Sequence, residues 1–203
     1  VTEMGVGEKD YLTTQLWHSG VVGSFSASVN VRSHRNSLEK LHGNISFSAK
    51  GLASNQSAMT DLMYQSIEQT RFDELPRLGE LIAQIRSHRE SSVVGNGHVM
   101  AMIAAASGLS SNAHLTQRWS GLTGLSLLKS LDDQLDEGGL QKLAAQLKKI
   151  HKKVLAQPRQ LLVIAEQERL DVFSQQMQNG FKQQPSIPFS NNNLIEYRPS
   201  LTQ

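Results

Sequence analysis

The chain has 203 residues, 38% of them hydrophobic and 19% charged, enough for one domain with a real core and at the margin for two. Twenty Lys and Arg against eighteen Asp and Glu leave a net charge of +2, too weak a bias to indicate nucleic acid or an anionic membrane as partner. Cysteine is absent, which excludes a disulfide framework, a thiolate nucleophile and a Cys-ligated zinc, and no apolar run approaches the ~18 residues needed to cross a bilayer. The sequence opens on Val1 with neither a basic segment nor an apolar signal core, and is read as a piece of something larger.

Residues 7–18 fit a short helix with Tyr11, Leu12 and Leu16 on its apolar side. After Gly20 the period changes. Phe25, Ala27, Val29 and Val31 alternate with serines, Asn30 and Arg32, and Ile45, Phe47 and Ala49 alternate with Ser46, Ser48 and Lys50. A period of two marks strands with one face wet, and the polar stretch 33–43 is expected to be a long loop joining an antiparallel pair.

Helices then dominate. Met59, Leu62, Met63 and Ile67 recur at helical spacing behind Ser54 and Asn55, and Leu78, Leu81, Ile82 and Ile85 do so with Pro76 in the first turn. Val99, Met102, Ile103 and Ala106 form a third stripe, and shorter helices are predicted at 112–120 and 122–134. In "LQKLAAQLKKIHKKVLAQ", Leu140, Leu143, Leu147, Ile150 and Val154 share one side of a helix, and Lys142, Lys148, Lys149, Lys152 and Lys153 the other. The lysines could form an anion-binding strip. With acidic residues ahead of the helix and no aromatic partners for bases, a solvated face is the reading adopted.

"QLLVIAE", residues 160–166, reads as a buried strand, and 168–181 as a last helix. "KQQPSIPFSNNNLIEYRPSLTQ" holds three of the five prolines and reads as a linker or extended tail. The expected architecture is α+β, an antiparallel sheet with several helices packed on one face, with one domain over residues 1–182 and a linker or extended tail toward a following domain over 183–203.

The chemistry is sparse. The seven histidines include no pair four apart, and neither H-E-x-x-H nor H-x-x-E-H occurs. His34 and His42 flank the expected loop and could meet in space, although solvated loop histidines are the plainer reading. The nucleophile-elbow pattern G-x-S-x-G is absent. The G-x-G of "GVGEKD" is followed by Glu8 and Asp10 where a phosphate would need amides and a cation, so Gly5 and Gly7 read as loop residues before a helix. In "SSVVGNGHVMAMIAAASGLS", Gly95 can end one helix in a left-handed conformation and Asn96 can cap the next. His98 then falls in its first turn, where a neutral imidazole is favoured. Local chemistry favours a helix–turn–helix joint, with a ligand contact as the alternative.

The blocks "TEMGVGEKDY", "GVVGSFSASV", "DLMYQSIEQTRFDE" and "RSHRESSVVGNGHVMAMIAAASGLSSNAHLTQRWSGLTGLSLLKSL" resemble the third domain of presequence proteases, a branch of the insulinase- or pitrilysin-type zinc metallopeptidases. The likeness runs over residues 1–131 with few gaps and more loosely to 180, and rests on ordered blocks rather than on a catalytic signature. It implies a four-domain clamshell closing around an unfolded peptide. Zinc and its H-x-x-E-H motif belong to the family's first domain, and a substrate-binding Arg and Tyr to its fourth. No catalytic, cofactor-binding or metal residue is therefore assigned here, and Tyr197 and Arg198 stand in the wrong arrangement for that pair.

The family's "SGH"-like turn corresponds to Asn96-Gly97-His98, which makes Asn96 and His98 candidate contacts with peptide in the chamber. Asn in place of Ser departs from the pattern. The implied role is a non-catalytic domain walling the chamber of a zinc-dependent peptidase that degrades short unfolded peptides. Its partners would be the other domains of the same polypeptide and the peptide, with no nucleic acid and no membrane. An inactive homologue serving as scaffold or peptide-binding subunit is the alternative. By itself the chain would be apt to form an artificial homodimer through apolar surfaces meant for sister domains. Its compartment stays open between bacterial cytoplasm or periplasm and an organelle matrix.

Overall fold

The structure is a computed structural model that describes residues 1–181 and the backbone of residues 195–196. The order is α1 (Tyr11–Val21), β1 (Ser24–His34), β2 (Ser37–Lys50), α2 (Gln56–Glu68), α3 (Leu75–Gly95), α4 (Gly97–Ala106), α5 (Ser111–Trp119), α6 (Leu122–Asp132), α7 (Glu137–Leu155), α8 (Leu170–Gly180) and β3 (Ile195–Glu196). Among the described residues, eight α-helices accompany a sheet of order β1-β2-β3. β1 and β2 form a hairpin, and β3 pairs antiparallel with β2 through Lys40↔Glu196 and Leu41↔Ile195. The fold is α+β, as the sequence leads one to expect. No helix among the described residues is long and apolar enough to cross a membrane.

The chain divides into two compact units. The first gathers the described residues of Val1–Ser28, Ile45–Glu74 and Ala144–Ser190. Its core joins Met63 and Ile67 of α2 to Met177 of α8 and to Phe181, with Phe25, Phe47, Ala49 and Val163 packed against them. The alternation read from the sequence explains this arrangement. Phe25, Phe47 and Ala49 lie on the sheet face that α2 and α8 cover, while exposed Ser26 and Ser48 hydrogen-bond to each other at 3.0 Å. Leu62 is fully buried at 0% exposure, the kind of site where a large aliphatic side chain contributes about 2 kcal/mol.

The second unit gathers the described residues of Val29–Asn44, Leu75–Leu143 and Asn191–Gln203. Here α3 packs on α6 and α4, and α5 packs on α4 and α6. The turn between α5 and α6 is so close that a Cβ on Gly124 would stand 2.5 Å from the Arg118 carbonyl oxygen. Arg86 of α3 pairs with Asp132 at 2.8 Å, Asp133 at 2.7 Å and Glu90 at 3.2 Å, and Lys129 reaches Glu90 at 3.1 Å. α4 contributes no buried residue, although Val99, Met102 and Ile103 recur at helical spacing.

Several expectations need correction. α1 begins at Tyr11 rather than at residue 7, because Asp10 caps it by accepting from Thr13 N at 2.9 Å. The expected loop 33–43 is mostly strand. Only residues 35–36 separate β1 from β2, and Leu41 is 1% exposed, whereas Leu38, the other leucine of the run, is exposed. Residues 160–166 are not a strand: they lie outside the ladders of the described sheet, and Leu162 and Ile164 are exposed, the latter 88%. Along α7 the stripe of Leu140, Leu143, Leu147 and Val154 is half-buried, but Ile150 is exposed and the buried residue is Ala144. The lysines of that helix form an exposed face. The expected linker or tail, residues 183–203, lies outside the described residues apart from the backbone of 195–196.

Candidate functional site

Three places carry enough polar chemistry to be weighed. In the G-x-G loop, Gly5 N donates to Glu74 Oε2 at 2.7 Å and Tyr11 N donates to Glu74 Oε1 at 3.0 Å. An internal carboxylate thus takes the amides that a bound phosphate would need. Gly7 N donates to the Gln69 carbonyl at 2.9 Å, and Arg71 N donates to the Gly5 carbonyl at 2.9 Å, so the loop is stitched to residues 69–74. Both glycines are required by geometry. Gly7 has φ +59, and a Cβ on Gly5 would stand 2.5 Å from the Lys9 carbonyl oxygen and 2.6 Å from Glu74 Oε2. The structural reading of this motif holds.

The histidines are dispersed. His18 lies 3.1 Å from Ser66 Oγ and packs edge-on against Phe25 at 5.2 Å, and burial lowers its pKa from the usual histidine value against a weaker opposing pull from Glu3. His151 Nε2 donates to the Ile67 carbonyl at 2.7 Å and packs edge-on against Phe72 at 5.5 Å. His34 and His42 do meet, with ring centroids 5.4 Å apart. His34 Nδ1 accepts from Asn36 N at 3.2 Å. Among the described residues no group of three His, Asp or Glu stands close enough to hold a metal ion, so this donor set does not fit a zinc site.

The third place is the joint between α3 and α4. Gly95 is the last residue of α3, and Gly7 alone among the described glycines has a positive φ, so the left-handed stop expected at Gly95 is not used. Asn96, at φ −120 and ψ 22, breaks the helix, but its side chain does not cap α4. Asn96 N and Nδ2 instead donate to the Ser92 carbonyl at 3.0 and 3.1 Å, satisfying an orphan acceptor at the end of α3. Asn96 and His98 are both exposed.

Beside this joint is a cleft of about 120 Å³, lined by Arg89 and Val93 of α3, Met100 of α4, and Gly121, Leu122 and Leu125 at the start of α6. Arg89 Nη1 donates to the Trp119 carbonyl, which fixes the guanidinium there. Sequence reasoning misses Arg89, since a lone arginine on a helix carries no motif. It becomes notable only because the turn after α5 brings a carbonyl against it. A second hollow, between α2 and α8, is bordered by Ser57, Thr60, Asp61, Gln176 and Asn179 and lacks an apolar wall.

A family model described as peptidase M16 (subfamily C) associated matches residues 1–131, a span that holds the stitched loop, the hairpin, the α3–α4 joint and the cleft. The chain is 24% identical over 149 residues to the mitochondrial presequence protease of Xenopus laevis, a match covering 73% of this chain and 14% of that protein. It is 26% identical over 136 residues to the mitochondrial presequence protease of Danio rerio, covering 67% of this chain and 13% of that protein. The chain therefore spans a small part of the length of these relatives.

Proposed function

Because this chain belongs to the peptidase-associated family whose model matches residues 1–131, we propose that it is a non-catalytic domain of a larger zinc-dependent peptidase, forming part of the wall of a chamber in which short unfolded peptides are degraded. The family match carries the reading. The names of the relatives add the substrate class: presequences are amphipathic, Arg- and Ser-rich and poor in acids. Peptide would be held through its backbone and shape, with Asn96 and His98 available for contact at an exposed joint. The zinc would belong to another domain of the longer protein.

The apolar surface supports a chain that works among neighbours. Val94 is 92% exposed, and Met102, Leu109, Leu162 and Ile164 are exposed as well. Other domains of the same polypeptide would cover them. The relatives are named as mitochondrial, and an organelle matrix is the compartment proposed here.

The test is metal analysis of the purified 203-residue chain, together with cleavage of a fluorogenic peptide. Zinc far below one equivalent and no chelator-sensitive cleavage are expected. Stoichiometric zinc with chelator-sensitive hydrolysis would overturn the reading.

A further inference from the structure

We infer that the cleft between α3, α4 and α6 grips the C-terminal residue of a peptide, with an apolar side chain in the cleft and the free α-carboxylate on Arg89. The inference rests on the reading of this chain as a peptide-handling domain. Two arginines one turn apart on α3 make the case by contrast. Arg86 is matched by the carboxylates of Asp132, Asp133 and Glu90. Arg89 forms no ion pair with another described residue, and its side chain meets the neutral carbonyl of Trp119 instead. That bond uses Nη1 and orients the guanidinium fork, leaving further N–H donors for an acceptor from outside.

The surroundings select the chemistry of that acceptor. A planar fork suits a carboxylate, which it can bind through two parallel hydrogen bonds. Val93, Met100, Leu122 and Leu125 make most of the wall apolar, with Ser92 and Ser120 as its polar edge, which disfavours a small hydrated anion and favours a carboxylate attached to an apolar group. The volume of about 120 Å³ is close to the roughly 150 Å³ that admits a benzene-sized group. α6 begins at this wall, and its N-cap Gly121 supplies no side-chain cap, so the positive end of the helix dipole adds to the field of Arg89. A C-terminal leucine or phenylalanine unites the two required parts in one residue. The candidate contacts Asn96 and His98 lie between Val93 and Met100 in the chain, so the grip and the joint are parts of one surface.

The experiment is fluorescence anisotropy with the full chain and an N-terminally labelled heptapeptide ending in leucine, as the free acid and as the C-terminal amide. The acid is expected to bind about tenfold more tightly than the amide, the contribution of one charge-assisted contact. Arg89→Gln should erase that preference, and Arg89→Lys should keep only part of it. Val93→Phe, which fills the cleft and leaves the cation, should weaken the acid form to the level of the amide. It also keeps the test open if Arg89→Gln fails to fold by circular dichroism. Equal binding of acid and amide to the natural chain would overturn the inference, as would an unaltered acid preference in folded Arg89→Gln or Val93→Phe. Either result leaves the chamber-wall reading standing, since zinc content and hydrolysis decide that one separately.

Discussion

In the first unit Glu74 reaches back to the amides of Gly5 and Tyr11, and Val6, Leu62 and Ser66 are shut off from solvent. In the second unit α4 buries nothing, and α3 and α6 are joined at their surface by Arg86, Glu90, Lys129, Asp132 and Asp133. Burial of apolar side chains gives far more stability than exposed ion pairs, which are screened by salt. Both units bury apolar side chains, Leu62 in the first and Leu41 and Leu78 in the second, and both leave large ones exposed, but in the second a whole helix, α4, buries none. The difference lies in how polar groups are used: the loop of the first unit spends its amides on Glu74, whereas Arg89 beside the α3–α4 joint gives one N–H to the Trp119 carbonyl and keeps others uncommitted.

Substitutions sharpen this contrast. Leu62→Ala should cost the first unit about 3 kcal/mol, read as a fall in the denaturation midpoint followed by tryptophan fluorescence. Gly5→Ala should cost about 2 kcal/mol through the clash with the Lys9 carbonyl and Glu74, and a neutral result would show that the stitched loop is loose. His18 adds a pH dependence. Its pKa is lowered in the folded state by burial, so the unfolded chain binds the proton more readily. Stability should be intact above the unfolded pKa of about 6.5 and decline as the pH falls below it. His18→Gln should flatten melting temperature between about pH 7 and 5, and an unchanged slope would assign the acid sensitivity elsewhere. Met102→Ser, on the uncovered helix, should change stability by no more than about 0.5 kcal/mol while reducing self-association in sedimentation.

How far the sequence could be read depended on how one-sided each segment is. Phe25, Phe47 and Ala49 stand out against serines because one face of the hairpin is covered and the other wet. Residues 33–43 hide their strand character, since Glu39, Lys40 and His42 surround a single buried Leu41. Residues 160–166 mislead in the opposite sense. A continuous apolar run suits a strand covered on both faces, yet Val163 packs on the core while Leu162 and Ile164 face solvent. At the joint the residue types were legible but not the direction of the cap, because Asn96 can serve either helix and serves α3. The cleft was illegible, for Arg89 meets the Trp119 carbonyl across thirty residues that no local pattern connects.

Amide hydrogen exchange, run in parallel on the isolated chain and on a longer polypeptide that contains it, tests most directly whether this is one wall of a larger peptidase. Exchange around Val94, Met102 and Ile164 should be fast in the isolated chain and markedly slower in the longer protein, while Leu62 and Ser66 stay protected in both. Equal, fast exchange at the first three positions in both proteins would contradict the account.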